Sequence, residues 1–218
     1  MIKGVLFDMD GVLIDAKDWH YEALNDVLAL FGMPIDRDAH LATFDGLPTR
    51  AKLTMLGKSR GLPQGLHGFI NTLKQERTAE IATARCRPVF HHRFALQQLK
   101  LRGMKMAVCS NSVRPSVELM MRLSGLSPLL DLIVSNEDVA RAKPDPEMYL
   151  TAMATLGLAP HETLILEDND HGIAAARASG AHVMVVGTPD DVTYPAIAQT
   201  IADIEAAGHL VTSAAVAN

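Results

Sequence analysis

"VLFDMDGVLID" (residues 5–15) decides the fold reading of this chain. An apolar, β-branched-containing run, "IKGVLF" (2–7), stops on Asp8, and Asp10 follows two positions later with Gly11 beside it. The run reads as a buried strand bounded by a turn cluster. One carboxylate at its end could be a solvated terminus or a helix cap. Two at this spacing raise a metal site or a catalytic pair.

Beyond the strand the chain turns helical. "DWHYEALNDVLALFG" places Leu24, Val27, Leu28 and Phe31 at helical spacing, with Asp18 as the expected cap, Gly32 as the stop and Pro34 preventing continuation. Helical patterns with short loops run to about Arg87. From Pro88 the character changes: "FHHRFALQQLKLRG", "RPSVELMMRLSG", "DPEMYLTAMATLG" and "HGIAAARASG" read as helices. "MKMAVCS", "LDLIVS", "TLILED" and "HVMVVG" read as strands between them. A last helix is expected near 194–206, and the tail "TSAAVAN" reads as dispensable. Strands alternating with helices of this length predict an α/β fold, a Rossmann-like parallel sheet with a small helical bundle inserted after the first strand. The expected division is 1–15 plus 88–218 for the core and 16–87 for the insertion.

Composition narrows the function classes. The 218 residues are 48% hydrophobic and 21% charged, with a formal net charge of −5 and only 5% aromatics. This balance, with no basic run and no aromatic platform, argues against nucleic acid as a partner. No apolar stretch approaches the ~20 residues of a membrane span. Cys86 and Cys109 are too few for a disulfide framework or a zinc site, so both are expected to fill space in a reducing cytoplasm. The oligomer expected is a monomer or weak dimer. His91-His92 has no ligand pattern around it and reads as surface; Met120-Met121 reads as core.

In an open parallel sheet, ligands bind at the carboxyl ends of the strands. Those ends carry Asp8 and Asp10; Ser110, Asn111 and Ser112; Arg141 and Lys143; and Glu167, Asp168, Asn169 and Asp170. Singly, each has a bland reading as turn, cap or solvated charge. Together they bring carboxylates, hydroxyls, amides and a lysine to one sheet edge. Asp8, Asp10, Glu167 and Asp168 would repel one another and raise their own pKa values without a cation. Oxygen donors alone suit Mg²⁺. Lys143 and the Ser110–Asn111 pair would balance an anion beside the metal, and phosphate is the natural candidate.

These four segments resemble, in order and spacing, the motifs of the haloacid dehalogenase superfamily: "DMDGVLID", "CSNS", the lysine of "RAKPDPEMY", and "ILEDNDHGIAAARASG". The helical insertion resembles the four-helix cap of its β-phosphoglucomutase-like branch. The resemblance implies Asp8 as nucleophile forming an aspartyl-phosphate and Asp10 as general acid–base. It implies a Mg²⁺ shell from Asp8, the Asp10 carbonyl and Asp168, with Glu167 contributing directly or through water; Ser110 and Lys143 would hold the phosphoryl oxygens, with Asn111 helping to position them. Asp10 argues against dehalogenation and phosphonate cleavage, since those branches lack this aspartate. The implied activity is hydrolysis of a small phosphorylated metabolite, with a sugar phosphomutase as the alternative.

Substrate contacts are expected from the insertion. "TFDGLPTRAKL" (43–53) resembles the family's substrate loop, giving Gly46, Thr49 and Arg50, with Lys52 beside them. "LKQERT" adds Lys74 and Gln75. The alternative for Arg50 and Lys74 is a solvated helix face. His20 matches a histidine that lies near the general acid, and Trp19 reads as hinge packing. One departure stands out: where the family has Ser or Thr followed by Glu after "DGVLID", this chain has Ala16-Lys17-Asp18.

Overall fold

The computed structural model describes residues 1–44 and 46–216, with side chains to residue 207. Among these, five strands form one parallel sheet: β1 (Gly4–Phe7), β2 (Lys105–Cys109), β3 (Leu132–Val134), β4 (Thr163–Glu167) and β5 (His182–Val185), in the order β3-β2-β1-β4-β5. β1 lies at the centre, with Phe7 in register with Val108 on one side and Leu166 on the other. Successive side chains alternate faces. Val5 and Phe7 therefore enter one core and Leu6 the other.

The first core face is covered by α5 (Phe90–Leu101), α6 (Arg114–Leu123) and the start of α9 (Tyr194–Val216), through Leu96, Leu99, Met120, Met121, Ile197 and Ile201. The second is covered by α7 (Glu147–Leu156) and α8 (Asp170–Ala178), through Met148, Tyr149, Ala152, Ala175 and Ala176. Trp19 packs against the first core, and both cysteines are buried and unpaired. Pro115 sits in the first turn of α6, and Gly125 and Gly180 come just after α6 and α8 with φ of 70° and 79°. Glycine tolerates that left-handed backbone without a Cβ clash.

Between β1 and β2 run α1 (Lys17–Leu30), α2 (Arg37–Thr43), α3 (Thr49–Arg60) and α4 (His67–Arg85). They close on an apolar cluster of their own, with Leu24, Leu28, Leu53, Leu56 and Ile70 at its centre. No helix among the described residues is long and apolar enough to cross a membrane.

Three expectations need correction. Asp18 does not cap α1: Ala16 holds the cap position, and Asp18 pairs with Arg37 at 2.7 Å from the first turn. His92 is not on the surface. It is 2% exposed, with Nε2 2.8 Å from the Pro189 carbonyl, because it shares a helix face with Ala95, Leu96 and Leu99. The last helix runs to Val216, well beyond 206; 217–218 of the tail lie outside the described residues.

Candidate active site

The chain leaves β1 through a tight loop. Gly11, at φ 93°, donates its amide to the Ile14 carbonyl at 2.7 Å, and the amides of Leu13 and Ile14 turn back to the Met9 carbonyl. A side chain at Gly11 is excluded twice, by this left-handed backbone and by Asp168, whose Oδ2 would lie 2.0 Å from a Cβ. Asp8 stays tied to the sheet through its amide on Leu166.

Three carboxylates meet there. Oxygens of Asp8, Glu167 and Asp168 lie within 4.8 Å of one another. Lys143 reaches in from the loop after β3: its Nζ donates to Asp8 Oδ1 at 2.7 Å, Glu167 Oε1 at 2.7 Å and the Cys109 carbonyl at 2.8 Å. Tyr149 on α7 donates its hydroxyl to the same Glu167 Oε1 at 2.5 Å. Burial, together with Glu167, Asp10 and Asp168, pushes the Asp8 carboxyl well up despite Lys143. Burial would lower the Lys143 ammonium, but Asp8 and Glu167 more than reverse this and hold it charged. The cluster is therefore short of positive charge even with Lys143 in place. An oxygen-only donor set with that deficit fits a hard divalent cation.

Asn169 caps α8 by accepting from the Gly172 amide at 3.0 Å, so the bland reading of "EDND" as a helix cap holds for Asn169. Asp170 is solvent-exposed. Asn111 is a junction: its Nδ2 donates to the Gly46 carbonyl at 3.0 Å and the Lys143 carbonyl at 3.2 Å, and its Oδ1 accepts from the Lys143 amide at 3.1 Å. Ser110 is buried, with its hydroxyl accepting from the Ser112 amide at 3.0 Å.

A second set of polar groups runs from α4 to Asp10. Lys74 Nζ lies 3.2 Å from His20 Nδ1, His20 Nε2 lies 3.0 Å from Asp10 Oδ1, and Ser112 donates to Asp10 Oδ2 at 3.2 Å. With Lys74 donating to Nδ1, the neutral ring carries its proton on Nε2 and donates it to Asp10. Burial works against an Asp10 anion, but His20, Lys74 and Ser112 outweigh it and hold the carboxyl below its usual value. Burial, aided by Lys74 and Lys52, holds His20 below its usual value against the pull of Asp10. Burial and neighbouring Lys52 bring Lys74 down to about 7.

Both sets open on one cavity of about 740 Å³. Asp8, Asp10, His20, Asn111 and Lys143 line it, as do Gly46, Thr49, Arg50, Lys52, Lys74 and Gln75 of the helical insertion. Asn111 and Ser112 reach the cavity, and Ser110 lies behind them. Arg50 is exposed at the rim, whereas Lys74 is buried and is no solvated helix-face residue. Two site residues were given no role from sequence: Tyr149, which holds Glu167, and Lys17. Lys17, first in α1, puts its ammonium 2.5 Å from Asp168 Oδ2. The signal was its departure from the family pattern.

A parallel sheet with this strand order, carrying carboxylates at the ends of β1 and β4 and a lysine after β3, defines a haloacid dehalogenase-like hydrolase. The chain belongs to that family, whose model matches residues 5–186. It is 29% identical over 180 residues to the phosphorylated carbohydrates phosphatase of Thermotoga maritima, covering 82% of each chain. It is also 29% identical over 198 residues to the validoxylamine A 7'-phosphate phosphatase of Streptomyces hygroscopicus subsp. limoneus, covering 88% of each. CbbY of Rhodobacter sphaeroides, solved in complex with phosphate, superposes with a TM-score of 0.78 at 25% identity over 85% of this chain and 86% of that one. Within the superfamily the protein is a phosphatase.

Proposed function

We propose that the protein is a Mg²⁺-dependent phosphomonoesterase that removes phosphate from a small phosphorylated carbohydrate through an aspartyl-phosphate on Asp8. The observation that carries this is the placement of Asp8, Asp10 and Lys143 on one cavity, with Glu167 and Asp168 directly behind. The names of the two relatives support the substrate class. Residues 1–15 and 88–218 would form the catalytic core and 16–87 the specificity cap, since the Gly46 loop closes on Asn111. Two buried free thiols are in keeping with a cytoplasmic enzyme, and a monomer or weak dimer is the proposed state.

In this reading the Asp8 carboxylate attacks phosphorus and the bond to the sugar oxygen breaks. Asp10 donates its proton to that oxygen. Its resting anion suits the second half-reaction, in which it takes a proton from the water that attacks the aspartyl-phosphate and frees Asp8. The acid form arises when a phosphate dianion seats beside it and raises its pKa. Lys143 neutralises a phosphoryl oxygen, and Ser110 and Asn111 place the group. Asp8, Glu167, Asp168 and the Asp10 carbonyl would hold Mg²⁺, which when bound would disperse the phosphoryl charge. A cavity of about 740 Å³ lined by Thr49, Arg50 and Lys74 suits a small metabolite.

The test is phosphate release from an aryl phosphate and from a panel of sugar phosphates, with and without Mg²⁺. The expected result is metal-dependent turnover that Asp8→Asn abolishes. Conversion of β-glucose 1-phosphate to glucose 6-phosphate, without free phosphate, would overturn it in favour of a phosphomutase.

A further inference from the structure

The departure at residues 16–18 has a physical counterpart. Lys17 Nζ lies 2.5 Å from Asp168 Oδ2, and the Asp168 side chain is fully buried. Gly11 makes room for the pair, since a Cβ there would stand 2.6 Å from Lys17 Cε and 2.0 Å from Asp168 Oδ2. The ammonium thus occupies a carboxylate oxygen of the very cluster whose donor set suits a divalent cation.

We propose that Lys17 is a tethered competitor for the metal: a cation carried on α1 that neutralises Asp168 until Mg²⁺ displaces it. The inference rests on the reading of Asp8, Glu167 and Asp168 as the Mg²⁺ site. Three carboxylates against Lys143 alone leave a formal charge of −2, matched by a divalent ion. With Lys17 added the charge is −1, and an incoming ion meets a fixed positive charge at one of its ligands. The displaced side chain has somewhere to go. Lys17 lines the catalytic cavity and also a second one of about 490 Å³, which carries the carboxyl-bearing residues Asp15 and Asp190. One third of the Lys17 side chain is already solvent-exposed, so release needs no unfolding. Metal arrival would also untie the first residue of α1 from the core.

Calorimetric titration of the metal-free full chain with MgCl₂ and MnCl₂ tests this without reference to turnover. Lys17→Gln is expected to bind at least about fivefold more tightly than wild type, and Lys17→Arg no more tightly than wild type. Equal or weaker binding by Lys17→Gln overturns the proposal. The unaltered protein gives a second measurement, which decides alone if the Gln variant does not fold. Acetic anhydride labelling read by mass spectrometry should show Lys17 acetylation rising when Mg²⁺ is added; unchanged labelling overturns the proposal. Absence of binding by wild type and variant alike overturns the metal reading itself and the competition with it, and so is distinguishable from equal affinities.

Discussion

Lys143 Nζ stands 2.7 Å from Asp8 Oδ1 with 2% of the lysine side chain and 8% of the aspartate side chain exposed. The same ammonium also holds Glu167. A single positive charge therefore serves two buried carboxylates. Lys143→Met would leave both without it, and breaking such a pair from one side costs about 3–5 kcal/mol. Urea unfolding at pH 7 should show that loss together with loss of turnover. Wild-type stability would contradict the arrangement.

Gly172 gives a sharp sign test. It lies in the first turn of α8, and Gly→Ala within a helix stabilises by up to about 0.8–1 kcal/mol. Here a Cβ would lie 1.9 Å from Glu167 Oε1 and 2.1 Å from its Cδ. Glu167 is fully buried and held by Lys143 and Tyr149, so it cannot swing aside cheaply. Gly172→Ala should lower the melting temperature and weaken Mg²⁺ binding. A rise in melting temperature would show that the carboxylate has room.

Lys74 sits buried with its pKa brought down to about 7. The unfolded lysine titrates near 10.4. Below 7 it is charged in both states and the folded state bears the whole cost of burying that charge. Between about 7 and 10.4 the unfolded chain binds more protons, so stability contributed at this site rises with pH. Lys74→Met should therefore stabilise the protein at pH 6, on the order of a few kcal/mol, with the gain shrinking by pH 9. Chemical denaturation at the two pH values measures it, and a gain that grows with pH would refute the assignment.

Asn111 joins the Gly46 loop to the Lys143 loop through three hydrogen bonds. Asn111→Ala should loosen closure over the substrate more than it alters the chemical groups. The expected signature is a KM raised about tenfold, corresponding to ~1.4 kcal/mol, with a smaller change in kcat. Steady-state kinetics on the best sugar phosphate decides: an unchanged KM would place the Gly46 loop outside substrate binding.

Much of this architecture was legible because its signals are local. Pro115, Gly125 and Gly180 mark helix ends through backbone chemistry alone, and the end of β1 is announced by Asp8. Residues that depend on distant partners were harder to read. His92 meets a carbonyl 97 residues away, although its spacing with Ala95, Leu96 and Leu99 already placed it on the apolar stripe. Tyr149 reads as an ordinary core aromatic until Glu167 is found above it. Lys17 lies at a break in a motif, and nothing along the chain says that its reach ends at Asp168. Asp18 has the residue type of a cap, but its pairing with Arg37 is a contact between helices.

β1 sits between β2 and β4, so the carboxylate cluster joins residues far apart along the chain. Asp8 is among the first residues to leave a ribosome, whereas Glu167 and Asp168 emerge some 160 positions later. Until β4 docks against β1, Asp8 lacks both the carboxylates of Glu167 and Asp168 and the Leu166 carbonyl that holds its amide. The carboxylate cluster therefore exists only once the sheet is complete on both sides of its first strand.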